Sequence, residues 1–167
     1  MARSPFLVTI TDLSTPGDRR SDRVSATVDW SLDLVRVLPG EPLAADLDFQ
    51  RMSGGLLVTG TVTALVETTC HRCLDRSTHV TEIPVAARFL DDPDDEAYQL
   101  DPSELDLEQM LRDETLLGLP LLPVCGPDCP GVVSSTQADL NTIPSSDDES
   151  DSASPFAVLR DFLETDQ

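Results

Sequence analysis

The amino-acid sequence predicts an α+β protein with a mainly antiparallel bent sheet or partial barrel and one principal helix. Two long stretches of apolar–polar alternation, around residues 58–66 and 83–89, predict neighbouring strands. One run of helical periodicity, over about residues 104–117, predicts the helix. One pair of closely spaced cysteines precedes this helix and another follows it, which suggests a link between the two parts of the chain.

The first part of the chain contains three shorter stretches with strand character. Residues 6–10 predict a first strand, and a turn followed by a charged loop to Arg23 separates it from a second strand over residues 24–30. Residues 43–49 alternate apolar and polar side chains. This alternation predicts a third strand whose inward face carries Leu43, Ala45, Leu47 and Phe49.

The clearest pattern is a pair of longer strands on either side of the first cysteine pair. Residues 58–66 place valine and alanine on one face and threonine on the other, as in a half-buried strand. Residues 80–89 predict the partner strand. Because Cys70 and Cys73 lie between these strands, we expect them at the tip of a hairpin. The inward face of the partner strand carries Ile83, Val85, Ala87 and Phe89.

The predicted helix follows an acidic loop at residues 91–96. Ser103 precedes it as a candidate N-cap, and Gly118 and Pro120 are expected to end it. Its periodicity places four apolar side chains near one face, those of Leu107, Met110, Leu111 and Leu117.

We expect residues 1–131 to form a single domain with a tail behind it. Residues 132–154 are rich in Ser, Asp, Thr, Asn and Pro and have little to bury, which predicts a disordered acidic linker. Residues 155–164 predict a short C-terminal amphipathic helix, because Ser154 suits an N-cap and Phe156 and Leu159 begin an apolar stripe.

The charge of the chain is unevenly distributed around a net value of −20. Residues 1–90 hold nine arginines and eleven acids (9 − 11 = −2), whereas residues 91–167 hold two arginines and twenty acids (2 − 20 = −18). The second part should repel nucleic acid and suit a basic protein, so RNA contacts are expected from the first part. No signal-like or membrane-spanning apolar run is present, and we expect a cytoplasmic protein.

The four cysteines have the spacing of metal ligands. Cys70 and Cys73 form a Cys-x-x-Cys pair, and Cys125 and Cys129 form a Cys-x-x-x-Cys pair. Two such pairs complete the tetrahedral four-thiolate shell of structural zinc, which would staple the hairpin tip to the segment after the helix. Reduced metal-free thiols, disulfide or redox use, and an iron–sulfur cluster remain as alternatives.

The sequence carries no motif of an enzyme active site. It contains no lysine, which excludes a P-loop or a Schiff-base mechanism, and no Gly-x-Gly-x-x-Gly, His-Glu-x-x-His or nucleophile elbow. A zinc ion held by four thiolates has no open position for a reacting water. We therefore expect a non-enzymatic protein without a small-molecule substrate.

Several motifs of the chain resemble those of the YceD family. They are Gly60-Thr-Val-Thr-Ala, Cys70-His-Arg-Cys-Leu, Leu107-Glu-Gln-Met-Leu-Arg-Asp-Glu, Leu117-Gly-Leu-Pro, Cys125-Gly-Pro-Asp-Cys-Pro-Gly and, more weakly, Asp139-Leu-Asn. The resemblance covers about residues 5–141. It departs at residues 131–137, which lack the third cysteine pair of many relatives; the four remaining cysteines suffice for one ion.

The resemblance implies a ribosome biogenesis factor that supports accumulation or processing of large-subunit (23S) rRNA. Its partners would be a precursor of the large subunit, rRNA or a basic ribosomal protein. The alternative is a zinc-dependent protein–protein adaptor or regulator that is not tied to ribosomes. Candidate RNA or partner contacts are Arg51, His71, Arg72, Arg76, His79 and Arg88.

Overall fold

A six-stranded sheet, a two-stranded sheet and one helix make up the part of the chain that the structure, a computed structural model, describes: residues 4–93 and 97–131. The elements are β1 (Leu7–Thr9), β2 (Arg19–Thr27), β3 (Val35–Val37), β4 (Pro42–Met52), β5 (Gly55–Thr69), β6 (Arg76–Leu90), β7 (Tyr98–Gln99), β8 (Glu104–Asp106) and α1 (Glu108–Gly118). The predicted linker over residues 132–154 and the predicted helix over residues 155–164 lie outside the described residues.

The large sheet has the strand order β2-β4-β5-β6-β7, and only the short β6–β7 pair is parallel. β4 pairs with residues 55–63 of β5, and β3 pairs with residues 66–68 of the same strand, next to the cysteine loop. The mainly antiparallel sheet and the single helix agree with the prediction. Within the described residues the sheet is open, with β2 and β7 at its ends, and does not form a closed barrel.

Period-two alternation divides the large sheet into a buried face and an accessible face. The predicted inward residues of β4 and of β6 are all buried, and so are Val58, Val62 and Val66 of β5. The helix packs against β6, where a side chain at Gly118 would meet Ile83. The hydrophobic core therefore lies on one face of the sheet, and most threonines of β5 lie on the other; Thr68 is the exception and is buried on the face of Val66.

The helix begins later than the sequence predicted. Residues 104–106, which were expected to be helical, form β8 and pair with β1. Ser103 does not cap the helix; its amide and hydroxyl bind Asp101, while Oδ1 of Asp106 accepts the Glu108 N–H at 3.0 Å. The helix starts where it does because β1 provides strand partners for the preceding backbone, a non-local interaction that capping patterns do not report.

The inward face of the helix also differs from the prediction. Met110, Leu111 and Thr115 are buried, whereas Leu117 is 83% exposed. Leu111 and Thr115 are one helical turn apart and face the sheet together, which turns Leu117 toward solvent. Leu117 lies six residues after Leu111, which is not a helical-turn spacing, so it does not share the inward face of Leu111 and Thr115.

The second strand starts earlier than predicted. Residues 19–23, expected to be part of a charged loop, are the first half of β2 and pair with residues 46–50 of β4. One charge of this segment is matched on the neighbouring strand, in the Arg23–Asp46 ion pair at 3.6 Å. Trp30 lies beyond the end of β2 and packs on Phe6 with ring centroids 6.0 Å apart.

Candidate metal centre

The first cysteine pair lies in the short loop between β5 and β6, as predicted. The Cys70 N–H donates to the Asp75 carbonyl at 2.9 Å, and the Leu74 N–H donates to the Cys70 carbonyl at 2.9 Å. The Arg72 N–H donates to the Cys70 Sγ at 3.4 Å. These bonds fold the loop tightly, so that both sulfurs of the pair face the same side.

Leu74 completes this loop in a conformation that leucine rarely adopts. Its φ of 64° makes it the one residue other than glycine with positive φ in the described part of the chain. The left-handed region costs an L-residue roughly 1–2 kcal/mol, which the surrounding hydrogen bonds must offset. Leucine in the sequence provides no signal for this turn, and sequence analysis missed it.

The second cysteine pair follows the helix on an extended segment. Leu119 is buried against the core, and the chain then runs to Cys125, where a turn closes with the Cys129 N–H donating to the Gly126 carbonyl at 3.2 Å. Pro123 anchors this segment to the hairpin tip, because its carbonyl accepts the His71 N–H at 2.9 Å. The two cysteine-bearing loops therefore lie side by side.

The four sulfurs form a compact cluster with the dimensions of a single-ion site. Cys70 Sγ lies 3.6 Å from Cys129 Sγ, and Cys73 Sγ lies 3.6 Å from Cys125 Sγ. All four lie within 4.8 Å of one another. A tetrahedral shell with metal–sulfur bonds of about 2.3 Å has sulfur–sulfur edges of about 3.8 Å. The cysteines are free thiols, and these residues can hold one metal ion.

Three of the four thiols have pKa values that differ from that of a free cysteine. Hydrogen bonding from the Cys73 amide, opposed by desolvation and assisted by the Cys125 amide, lowers the pKa of Cys70 to about 5. The Asp75 amide lowers the pKa of Cys73, but desolvation and the neighbouring thiols outweigh it and raise that pKa to about 12. The nearby Cys129 thiol likewise raises the pKa of Cys125. Cys70 therefore forms a thiolate readily, whereas Cys73 and Cys125 need a cation to replace their protons.

Exposed apolar side chains flank the cysteines in sequence. Cys70 and Cys129 are buried, Cys73 is half-buried and Cys125 is exposed. Four large apolar side chains close to the cysteines in sequence are exposed to solvent, those of Leu74, Leu121, Leu122 and Val124.

The six predicted contact residues do not form one group. His71 and Arg72 lie in the cysteine loop, and Arg76 begins β6 next to it. Arg88 lies near the far end of β6; at about 3.3 Å per residue along a strand, it is roughly 40 Å from Arg76. His79 lies on β6 opposite Val66 of β5. Arg51 lies on β4 opposite Leu56 of β5, at the end of the sheet where Arg88 also lies.

His71 is more constrained than the sequence suggested. Its side chain was expected to point outward, and it is exposed, yet its Nδ1 lies 3.0 Å from the Pro123 carbonyl oxygen.

In the described residues, no helix has the length and apolar character needed to cross a membrane.

Comparison with known proteins identifies relatives in mycobacteria. An uncharacterized protein of Mycobacterium tuberculosis is 35% identical over 119 residues, which is 66% of this chain and 58% of the relative. An uncharacterized protein of Mycobacterium leprae is 31% identical over 117 residues, covering 65% of this chain and 54% of the relative. The chain thus spans less than two thirds of the length of these relatives. No solved structure matches it.

A family model provides the assignment. The model described as "Large ribosomal RNA subunit accumulation protein YceD" matches residues 58–163, a range that contains most of β5 together with β6, the helix and all four cysteines. The match covers more than half of the chain. The chain therefore belongs to the YceD family, the family of large ribosomal RNA subunit accumulation proteins.

Proposed function

We propose that this protein is a non-enzymatic ribosome biogenesis factor that supports accumulation or processing of large-subunit rRNA in the cytoplasm. Membership of the YceD family is the observation that carries the proposal. The cysteine cluster serves it as a scaffold. Four thiolates around one ion would leave no coordination position for a substrate, so the ion stabilises the fold and does not take part in chemistry.

Zinc is the ion that we propose for the cluster. The sulfur spacing fits a tetrahedral four-thiolate shell, and such a shell favours zinc among the common divalent ions. A four-iron cluster would bind each thiolate to a different iron, which requires a wider separation than the 4.8 Å found here. The ion would tie the β5–β6 hairpin tip to the segment after the helix.

The charge of the described surface suggests a basic partner for one part of the molecule. Within residues 91–93 and 97–114, which we call the acidic segment, eight carboxylates accompany one arginine. The helix presents the exposed Glu108 at its N-terminal end and the half-buried Glu114 in its second turn. Such a surface repels phosphate and attracts the basic ribosomal proteins.

We propose that any contact with RNA is made by the tip of the β5–β6 hairpin, which carries Cys70 and Cys73. Arg72 and Arg76 are exposed there, four residues apart in sequence, and no carboxylate forms an ion pair with either in the described part of the chain. Arginine suits phosphate oxygens because its planar group donates two parallel hydrogen bonds.

Co-sedimentation with ribosomal particles tests the proposal. The tagged full chain should sediment with large-subunit precursors at low salt and should crosslink to a basic ribosomal protein or rRNA. A variant with Asp92→Asn, Glu108→Gln and Glu114→Gln should lose partner binding. The matched control, Asp29→Asn with Asp33→Asn and Glu41→Gln, removes three exposed carboxylates elsewhere and should bind normally.

The same measurement has a clear negative outcome. If the wild-type chain binds neither large-subunit precursors nor basic ribosomal proteins at low salt, the proposed function is wrong. Because electrostatic attraction weakens as salt screens it, binding that is insensitive to salt would contradict the role given to the acidic segment.

The second candidate is a zinc-dependent protein–protein adaptor not tied to ribosomes. The exposed apolar side chains beside the cysteines favour it, since such side chains often mark protein contacts. Co-sedimentation separates the two candidates. The ribosome factor should sediment with large-subunit precursors and should still do so after Leu121 and Leu122 are changed to serine, whereas an adaptor of another pathway should show no such sedimentation in its wild-type form.

A further inference from the structure

His71 makes two hydrogen bonds to one atom of the other cysteine segment. Its backbone N–H donates to the Pro123 carbonyl oxygen at 2.9 Å, and its ring Nδ1 lies 3.0 Å from the same oxygen. A carbonyl oxygen only accepts, so Nδ1 carries a proton and donates it. The two donors fill both lone pairs of the Pro123 carbonyl.

The contact between His71 and Pro123 joins the two cysteine-bearing loops. His71 directly follows Cys70, and Pro123 lies two residues before Cys125. Pro123 is buried, whereas Cys125 is the exposed member of the cluster. The contact between His71 and Pro123 therefore fixes one cysteine loop relative to the other through atoms other than the sulfurs.

We infer that His71 is a positioning residue of the metal centre: its ring holds the Pro123 carbonyl and so places Cys125 at bonding distance from the ion. This inference rests on the metal centre of the proposed function. The ring acts through the backbone and is not a ligand, because the cluster of ligand atoms within 4.8 Å of one another contains the four cysteine sulfurs and no histidine nitrogen. Partners in this outer position commonly change metal affinity 10–100-fold when they are removed.

Three substitutions of His71 distinguish the action of one ring atom from general packing. His71→Ala removes the ring donor but keeps the backbone N–H bond. The amide nitrogen of asparagine occupies nearly the position of Nδ1, whereas that of glutamine lies nearer the position of Nε2. His71→Asn should therefore restore the bond to Pro123, and His71→Gln should not. His79→Ala, on an exposed histidine of β6, is the matched control.

The test measures zinc affinity by chelator competition and the cobalt(II) spectrum of each full-length variant. We expect His71→Ala and His71→Gln to bind zinc about 10–100-fold more weakly, with His71→Asn and His79→Ala close to the wild type. Nitrogen-15 NMR of the wild type should show the Nδ1-protonated form of His71. Circular dichroism checks folding, and if His71→Ala does not fold, the asparagine–glutamine pair decides.

Wild-type affinity in His71→Ala or in His71→Gln would overturn the inference, and so would equal losses in the asparagine and glutamine variants. A loss in His79→Ala would assign the effect to histidine removal in general. If the wild type binds neither zinc nor cobalt, the metal centre and this inference both fail. The ribosomal role is decided separately by co-sedimentation, which does not depend on His71.

Discussion

The Sγ atoms of Cys73 and Cys125 lie 3.6 Å apart, although 52 residues separate the two cysteines. The second cross-pair, Cys70 with Cys129, repeats the same distance across 59 residues. Each contact joins one residue of the hairpin loop to one residue after the helix. An ion in this cluster would therefore close a long loop that contains β6, the two short strands and the helix.

Replacing any one of the four cysteines by serine should abolish stoichiometric zinc binding, because three thiolates hold the ion much less tightly than four. At free zinc 100 times the Kd, binding stabilises the folded state by about 2.7 kcal/mol, so EDTA should lower the wild-type Tm by several degrees. EDTA should leave the Tm of Cys125→Ser unchanged. Elemental analysis and thermal melting measure both effects.

Ser53→Ala, at the opposite end of the hairpin, is the control for the cysteine variants and should keep both the zinc and the EDTA effect. One equivalent of zinc in Cys125→Ser, with a wild-type Tm, would contradict the four-thiolate site.

Zinc affinity should rise steeply with pH. At pH 7 Cys70, with a pKa of about 5, is already a thiolate, whereas Cys73, with a pKa of about 12, and Cys125, whose pKa is raised, are protonated. The ion must displace at least these two protons, so the affinity should change about 100-fold per pH unit near neutrality. Titrating the metal-free protein with zinc in weakly buffered solution and measuring the released protons gives the number of protons that the ion displaces. Release of no proton would contradict the thiol ionisation described here.

Leu111→Ala and Leu117→Ala should differ sharply in stability. Leu111 is fully buried in the helix–sheet contact, so its truncation should cost about 2–5 kcal/mol in the free energy of unfolding. Leu117 is 83% exposed, and its truncation should change that free energy by less than about 0.5 kcal/mol. Urea unfolding of both variants provides the comparison. Similar losses in the free energy of unfolding for the two variants would contradict the exposed position of Leu117.

Gly60→Ala should destabilise the centre of the sheet. An added Cβ would lie 2.1 Å from the Asp46 carbonyl oxygen on the neighbouring strand, so β4 and β5 would have to separate locally. The cost should be at least the 1–3 kcal/mol typical of overpacking. Gly126→Ala is the control, because nothing lies within 4 Å of a Cβ at that position. Equal urea midpoints for the two variants would refute the close approach.

The cysteine cluster shows how far local spacing can predict a site. Cys-x-x-Cys between two alternating strands predicted a hairpin tip, and the second pair supplied the remaining sulfurs. The spacing within each pair depends only on a few backbone angles. It did not reveal the cross-pairing of Cys70 with Cys129, the left-handed Leu74 or the His71–Pro123 contact, because these depend on how two distant loops lie against each other.

The sequence by itself determined the inward faces of β4, β5 and β6, the hairpin and the four-cysteine set, since period-two burial and ligand spacing are properties of short segments. Only the tertiary structure decided that residues 104–106 pair with β1, that the helix turns Leu117 outward, and that Arg76 and Arg88 lie far apart. The physical reason is that strand partners, helix rotation and surface neighbours are fixed by contacts between segments distant in sequence, which no local pattern contains.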